Sequence, residues 1–147
     1  ILNYIKSGES NILYDGLTQA IQDGQQAQVV PISCQWFETG NEVDFKLATK
    51  QCLEILTQSS FAAKYLAQLV QSRSPNSQFS SAGNKLLLTD NRLSLSSLTL
   101  NGFNVLGEGV HLKKGCHLKD CIIGPQVRIE KADQLENIMI VNEQDVF

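Results

Sequence analysis

The chain has 147 residues, a length that suffices for one compact domain or two small ones. With 42% hydrophobic and 18% charged residues, it has the composition of a globular protein that buries a core. The net charge is −3 and the lysines and arginines are scattered, which argues against a nucleic-acid-binding surface.

No apolar run approaches the length of a membrane-spanning helix, and the first residues, ILNYIKSGES, lack the pattern of a signal peptide. The 4 cysteines form no CxxC pair and have no zinc-binding spacing, so we expect reduced thiols that are mostly buried. These features predict a cytoplasmic protein. Because the chain does not begin with methionine, we also expect it to be part of a longer protein.

The first segment of the chain is predicted to form a helix and two short strands. SNILYDGLTQAIQDG is amphipathic, with Ser10 or Asn11 as the expected N-cap and Gly24 as the left-handed residue that ends the helix. AQVVPI and residues 35–37 then predict two strands.

A second helix is predicted to begin at Asn41, whose short side chain can cap the first turn. Its apolar stripe is expected to consist of Val43, Leu47, Ala48, Cys52, Ile55 and Leu56. A helix, strands and a helix at this spacing are typical of the end of an α/β layer, not of an independent fold. We therefore expect residues 1–58 to be the carboxy-terminal piece of an α/β domain.

The next segment, residues 59–84, is predicted to be a helix followed by a linker. The helical stretch SSFAAKYLAQLVQS carries the apolar residues Phe61, Tyr65, Leu66, Leu69 and Val70. RSPNSQFSSAGN is rich in serine, asparagine, proline and glycine, a composition that packs no core and is typical of a linker or surface loop.

The last segment, residues 85–147, has an aliphatic residue at every sixth position. The series is Leu100, Leu106, Leu112 and Leu118 and then, after a slip of one residue, Ile123, Ile129, Leu135 and Val141. A six-residue period is that of a parallel β-helix, in which each hexapeptide forms one flat side of a coil. We expect a left-handed β-helix of about three coils, with the series up to Leu135 pointing inward.

The coil length follows from the same period. Three hexapeptides complete a coil, so residues about 18 apart should stack. This predicts that Leu100 stacks on Leu118 and Ile123 on Val141 in neighbouring coils. The slip near Cys121 should be absorbed at a corner, for which the Gly-Pro pair at residues 124–125 is suitable.

These features together resemble the carboxy-terminal half of the sugar-1-phosphate nucleotidyltransferases, also called nucleotide-sugar pyrophosphorylases. In WFETG, Trp36, Glu38 and Gly40 match the tryptophan, acidic residue and glycine of a family motif similar to W-x-D-x-G-T. GNEVDFKLAT is similar to the family's continuation into a helix, and LGEGVHLKKGCHLKDCIIGPQVRI looks like its β-helix. The chain differs from the motif in having Glu38 in place of Asp and Asn41 in place of Thr.

The resemblance implies a Rossmann-like nucleotidyltransferase domain and a parent enzyme that makes NDP-sugars from NTP and sugar 1-phosphate. The family's glycine-rich loop, which holds the nucleotide phosphates, is expected upstream of Ile1, together with a further metal-binding Asp and the residues that select nucleobase and sugar. The isolated chain is therefore expected to be inactive and to bind no cofactor. Its sequence assigns no catalytic or substrate-binding residue.

Glu38 is the candidate metal ligand, and only together with the upstream half. The resemblance implies that it helps to hold Mg²⁺ between the sugar phosphate and the nucleotide α-phosphate, since this hard cation binds oxygen ligands. The alternative is a solvated carboxylate at a strand end or beside the dipole of the next helix. Trp36 is expected to be a core residue and not a substrate contact. Without the upstream half, Trp36, Phe45 and the first helix should expose apolar surface.

The two histidines, His111 and His117, are six residues apart, a spacing that suits a metal pair or the base of a hexapeptide acyltransferase. On a three-sided coil, however, they fall on adjacent sides and point in different directions, so we expect solvent-facing or structural roles. Asp15, Asp44 and Asp90 have no partner at a spacing that would form a catalytic pair.

Two further hypotheses stay open. One is a β-helix acyltransferase with His111 or His117 as its base, and the other is a non-catalytic regulatory or assembly module that resembles nucleotidyltransferase subunits. We also expect a homo-oligomer, because the flat sides and open end of a short β-helix leave backbone groups unpaired. No nucleic-acid or membrane partner is expected.

Overall fold

The computed structural model describes residues 2–4, 12–131 and 133–141, and the chain divides into two units, Ile1–Trp36 and Phe37–Phe147. The first unit contains a single 3-10 turn, Leu2–Tyr4, a π-helical segment, Ile12–Leu17, and helix α1, Thr18–Gln22. The predicted helix is therefore present, and it ends just before Gly24, which has a φ of +79°. The expected caps Ser10 and Asn11 lie outside the described residues.

The two strands predicted between α1 and the next helix are wrong. Residues 25–39 form irregular chain and pair with no strand of the described residues. A strand is stabilised by hydrogen bonds to a neighbour, so an apolar run alone does not produce one. Trp36 is 81% exposed, which contradicts a core role in this chain and confirms the expected exposure of apolar surface there and at Phe45.

Helix α2, Glu42–Leu56, begins at Asn41 as predicted, and helix α3, Phe61–Arg73, begins at Ser60. In both cases the side chain of the capping residue accepts a hydrogen bond from the backbone N–H three residues further on, at 3.0 Å and 3.1 Å. These bonds satisfy donors that the first turn of a helix leaves unpaired.

The buried face of α2 agrees with the predicted stripe only in part. The predicted residues that are buried or half-buried are Ala48, Cys52, Ile55 and Leu56. Val43 and Leu47 are instead exposed, and Leu53, which the pattern did not select, is 2% exposed. The side of α2 that lines the groove toward α3 consists of Phe45, Ala48, Thr49, Cys52, Leu53 and Leu56. These residues follow one another at steps of one or three, so the packed stripe is rotated relative to the predicted one.

The segment RSPNSQFSSAGN, predicted to be a linker or surface loop, contains strand β1, Ser77–Ala82. β1 pairs antiparallel with β2, Lys85–Asp90, across a turn at Gly83 and Asn84, where Gly83 has a φ of +61°. The prediction is wrong because it weighed composition alone. A two-residue turn beside an apolar strand provides the pairing that a serine-rich segment needs to become a strand.

The predicted β-helix is confirmed as a parallel β-solenoid of about three turns. β2 pairs with β3, Thr99–Leu106, which pairs with β5, His117–Ile123. β5 then pairs with β7, Gln134–Glu136, and with β8, Met139–Ile140. A separate parallel pair is formed by β4, His111–Leu112, and β6, Arg128–Ile129.

The solenoid interior is lined by the aliphatic residues of the repeat. The buried members are Leu106, Leu118, Ile123 and Ile129, and the half-buried members packed against them are Leu100, Leu112 and Leu135. Every predicted inward position from Leu100 to Leu135 is therefore confirmed. Two of the cysteines, Cys116 and Cys121, are buried in the same interior.

The coil is shorter than predicted over most of the solenoid. Leu100 lies opposite Leu118, as predicted, but Ile123 lies opposite Ile140, 17 positions on. Val141, the predicted partner of Ile123, is 57% exposed. The interior therefore repeats every 17 residues, with a spacing of 18 only at the start of β3.

The slip in the repeat is not absorbed at residues 124–125, and that prediction is wrong. At one corner the step between inward residues is six in the first coil, Leu100 to Leu106, and five in the next two, Leu118 to Ile123 and Leu135 to Ile140. In all three coils the chain turns there through a residue with positive φ. These residues are Gly102 at +61°, Asp120 at +55° and Asn137 at +54°. Between the paired positions, the first corner contains two residues, Gly102 and Phe103, whereas the next corner contains Asp120 alone. This extra residue explains why the spacing is 18 at the start of β3.

One flat side of the solenoid is apolar on its outer surface as well as on its inner surface. Leu53 of α2 packs there against Phe103 and Ile122, and the half-buried residues around them are Leu56, Phe79, Leu86, Leu88, Val105 and Met139. Lys46 of α2 also donates a hydrogen bond to the backbone carbonyl of Asn137 at 2.8 Å. Helix α2 is therefore attached to the solenoid, and the segment just before it carries Glu38.

Candidate functional site

Glu38 lies in the irregular segment just before α2, with its side chain exposed. Its Oε1 accepts hydrogen bonds from the backbone N–H groups of Thr39 and Gly40, both at 3.0 Å. A Cβ at position 40 would lie 3.2 Å from this oxygen, so the turn suits glycine. The carboxylate is thus held by its own turn, and no strand among the described residues ends beside it.

Asn41 connects this turn to α2. Its Oδ1 accepts the hydrogen bond from the Asp44 N–H at 3.0 Å, and its Nδ2 donates to the Asp44 carboxylate at 2.6 Å. A threonine hydroxyl, which the family motif has here, can accept the same bond, so this departure preserves the cap. Glu42 and Asp44 add negative charge in the first turn, which stabilises the positive end of the helix dipole.

Glu38 does not form a Mg²⁺ site with its surroundings in the described structure. Within residues 2–4, 12–131 and 133–141, no three or more His, Cys, Asp or Glu side chains are grouped to hold a metal ion. Mg²⁺ prefers an octahedral set of oxygen ligands and usually combines one or two carboxylates with phosphates and water. Glu38 fits as one ligand of such a set, and its role in binding Mg²⁺ stays a prediction.

The structure places His111 and His117 on separate sheets. His111 of β4 lies opposite Arg128 of β6, whereas His117 of β5 lies between Thr99 and Gln134 of the neighbouring coils. Both histidines are exposed. They share no site within the chain, which confirms the predicted divergence of the pair.

The three aspartates lie in different elements of the described structure. Asp15 lies in the π-helical segment of the first unit, and Asp44 belongs to the cap of α2. Asp90, at the end of β2, is 5% exposed and belongs to a network that the sequence did not reveal. Asp44 and Asp90 are thus held by separate partners, Asn41 for the first and Arg92 for the second.

The network around Asp90 joins two coils of the solenoid. The guanidinium of Arg92 binds both carboxylate oxygens, with Nε 2.9 Å from Oδ1 and Nη2 2.7 Å from Oδ2. The N–H of Gly109, in the next coil, donates to Oδ2 at 3.3 Å. Arg92 also pairs with the exposed Glu108 at 2.6 Å. The one local signal for this network is the spacing of Asp90 and Arg92 in TDNR.

These contacts set the charge state of the network. Hydrogen bonds from Arg92 hold the pKa of Asp90 well below its usual range, and hydrogen bonds to Asp90 and Glu108 raise the pKa of Arg92. The same residues line a cavity of about 310 Å³ together with Gln126. Because Asp90 stays ionised and is fully hydrogen-bonded, it stabilises the corner and is not suited to act as a general base.

A cleft of about 830 Å³ lies between α2, the β1–β2 turn and a corner of the solenoid. Lys50 and Glu54 line it from the helix, and Lys119 and Asp120 line it from the corner. Lys119 is paired with Glu136, which raises the pKa of the lysine. Sequence reasoning missed this cleft because its walls come from segments far apart in the chain.

A second groove, about 340 Å³, lies between α2, α3 and the outer side of the sheet and is almost wholly apolar. Its walls include Phe37, Cys52, Leu66 and Leu88. Burial raises the pKa of the Cys52 thiol, so this cysteine is protonated and unreactive at neutral pH. All four cysteines are free, as predicted, although Cys34 is exposed.

None of the helices in the described part of the chain combines the length and the apolar character needed to span a bilayer. Comparison of the chain with protein-family models, with curated proteins and with solved structures found no match.

Proposed function

We propose that this chain is the carboxy-terminal part of a nucleotidyltransferase that makes NDP-sugars from NTP and sugar 1-phosphate. On this proposal, the residues up to α2 complete a Rossmann-like domain, and the solenoid is left-handed. The observation that carries it is the arrangement of three parts in order. The motif carboxylate Glu38 comes first, then helix α2 capped by Asn41, and this helix packs through Leu53 on the solenoid.

In the proposed enzyme, Glu38 supplies one oxygen ligand to Mg²⁺. When bound, the ion offsets the negative charge of two phosphates as they approach each other. The hydrogen bonds from Thr39 and Gly40 support this role, because they already restrict the side chain before a cation arrives. The remaining ligands come from substrates and from residues outside the described structure.

The test is a pyrophosphate-release assay of the full-length protein with NTP and sugar 1-phosphate. Glu38→Gln should lower turnover about tenfold or more at saturating Mg²⁺, because it removes the charge at the metal and preserves the shape of the side chain. Glu42→Gln is the matched control, an exposed glutamate paired with Lys46 in the first turn of α2, and it should leave turnover unchanged. Full activity of Glu38→Gln contradicts the proposal.

The isolated chain provides a second test. A single carboxylate does not retain Mg²⁺, because the ion gives up its water reluctantly and needs several oxygen ligands. Isothermal titration should therefore detect binding of neither Mg²⁺ nor nucleotide to residues 1–147. Tight nucleotide binding by this chain would mean that it contains a nucleotide site of its own, contrary to the proposal.

A non-catalytic regulatory or assembly module is the second candidate. One observation favours it: the position that matches the acidic residue of the motif carries Glu38 in place of Asp, one methylene longer. In this case the full-length protein converts no NTP and sugar 1-phosphate, and Glu38→Gln changes only its stability. Thermal-shift measurements also separate the acyltransferase alternative, for which acyl-CoA and not NTP should stabilise the full-length protein.

A further inference from the structure

The serine-rich strand β1 forms one edge of the main sheet, whose order is β1-β2-β3-β5-β7. It pairs with β2 along its whole length and with no other strand of the described residues. Ser80, Ser81 and Ala82 are exposed. An edge of this kind presents N–H and C=O groups to which another strand can pair.

The hydrogen bonds at the start of β1 show which backbone groups point away from β2. The N–H of Asn91 donates to the C=O of Asn76 at 2.8 Å, so these two residues form a hydrogen-bonded pair of the ladder. In an antiparallel ladder, such pairs alternate with pairs whose groups face outward. Ser77, Phe79 and Ser81 therefore direct their N–H and C=O groups away from β2.

The N–H and C=O groups of Ser77, which point away from β2, already have hydrogen-bond partners. Its N–H donates to the C=O of Ser74 at 2.9 Å, and its C=O accepts a hydrogen bond from the side chain of Gln71 in α3 at 2.8 Å. No residue of the described structure bonds to the outward groups of Phe79 and Ser81. Each of these residues thus offers one donor and one acceptor in the middle of the edge.

We propose that β1 pairs antiparallel with β1 of a second copy of this chain, about a twofold axis at Ser80. In this register Phe79 of each copy lies opposite Ser81 of the other, and both pairs exchange both of their hydrogen bonds. A register displaced toward the start of the strand requires the groups of Ser77, which Gln71 and Ser74 occupy. The register centred on Ser80 is the one in which Phe79 and Ser81 pair all of their free groups with each other.

The composition of β1 also favours a second copy as the partner. SQFSSA contains no charge and no proline, the residues with which proteins commonly protect an edge strand from pairing. At the proposed axis, the small side chain of Ser80 faces its own copy, so neither bulk nor like charge opposes the approach. A symmetric dimer satisfies the free groups of both copies at once.

Disulfide cross-linking of the full chain tests the register, in a Cys34→Ser background that removes the exposed thiol. Ser80→Cys places two thiols directly opposite each other, with Cβ atoms about 4.5–5.5 Å apart, and oxidation with copper phenanthroline should give a covalent dimer. Gln78→Cys is the matched control, because its two copies are offset by about 13 Å along the strand. Equal cross-linking of both variants, or none with Ser80→Cys, overturns the proposal.

Sedimentation velocity over a range of concentrations tests the association itself. The unaltered chain and Ser80→Thr should form a concentration-dependent dimer. Ser80→Lys and Ser80→Glu should each raise the dimer Kd about tenfold or more, because like charges then face each other at the axis. An equimolar mixture of these two variants should dimerise again. The proposal is contradicted if the unaltered chain is a monomer at every concentration. It is also contradicted if the mixture dimerises no more tightly than either charged variant alone.

Discussion

The carboxylate of Asp120 lies where the first side-chain carbon at position 102 would be, so Gly102 and Asp120 fit together across neighbouring coils. Asp120 also accepts a hydrogen bond from the N–H of Phe103 at 3.0 Å. The φ of +61° at Gly102 favours glycine at this corner, and the lack of space beside Asp120 requires it.

Gly102→Ala should lower the free energy of unfolding by about 1–3 kcal/mol, because it strains the backbone and displaces Asp120. Gly83→Ala is the matched control. Gly83 has the same φ of +61°, but nothing lies within 4 Å of an added Cβ, so the loss should be smaller. Urea denaturation measures both variants, and equal losses would show that contact with Asp120 has no effect.

Leu53→Ala should lower the free energy of unfolding by about 2–5 kcal/mol, since it leaves a cavity between α2 and the outer side of the solenoid. Leu47→Ala, in the same helix, changes a residue that is 53% exposed and should alter stability by about 0.5 kcal/mol at most. Denaturation followed by circular dichroism measures both. A small effect of Leu53→Ala would mean that α2 contributes little to the stability of the solenoid.

Asn41→Ala should lower the free energy of unfolding by about 1 kcal/mol, because it leaves the Asp44 N–H without its side-chain acceptor. Asn41→Thr should retain most of the stability, since a threonine hydroxyl accepts the same bond. Thermal and urea unfolding of the two variants provide the comparison. Equal destabilisation would show that a threonine hydroxyl does not replace the Asn41 acceptor at this helix start.

Asp90→Asn should destabilise the protein at neutral pH and have less effect in acid. Arg92 holds the pKa of Asp90 below its unfolded value, so ionisation of Asp90 stabilises the folded state above about pH 4. This contribution to the free energy of unfolding is lost as the pH falls toward the pKa that Asp90 has in the folded protein. The difference between the unaltered protein and the variant should therefore shrink steadily from about pH 5 to pH 2.

A control for this pH dependence is Glu108→Gln, which removes the exposed partner of the same arginine. Its effect at neutral pH should be smaller, because water screens an exposed ion pair. Urea denaturation at a series of pH values measures both variants. A loss of stability in Asp90→Asn that does not depend on pH would show that the charge of Asp90 is not what stabilises the corner.

The solenoid interior is predictable from the sequence because a six-residue period depends only on local spacing. Leu106, Leu118 and Ile129 are all found inside, as the period requires. The coil length is not predictable in this way, since the five-residue step depends on positive φ at Asp120 and Asn137. Neither residue is glycine, so the corner leaves little trace in the sequence.

The strand pairing and the polar network around Asp90 show why the other parts of the fold could not be predicted from the sequence. AQVVPI has the composition of a strand but no partner among the described residues, whereas SQFSSA has the composition of a loop but pairs with β2. Both outcomes depend on tertiary contacts. Asp90 and Gly109 likewise meet only because neighbouring coils stack. Glu38 was selected from its motif and its role at a metal stays a prediction, whereas its bonds to its own turn depend on a backbone conformation that the motif does not specify.

The step of 17 residues that follows Leu106 makes one coil of this solenoid a unit that can be duplicated. Leu106 is followed by Ile123 and Ile140 at the same place in successive coils, so a second copy of residues 107–123 would preserve every inward position. Each added coil would also add one outward apolar residue equivalent to Ile122, which α2 now covers. The number of coils that such a protein can add is therefore limited by the length of the helix that covers its outward apolar residues, and not by the packing of its interior.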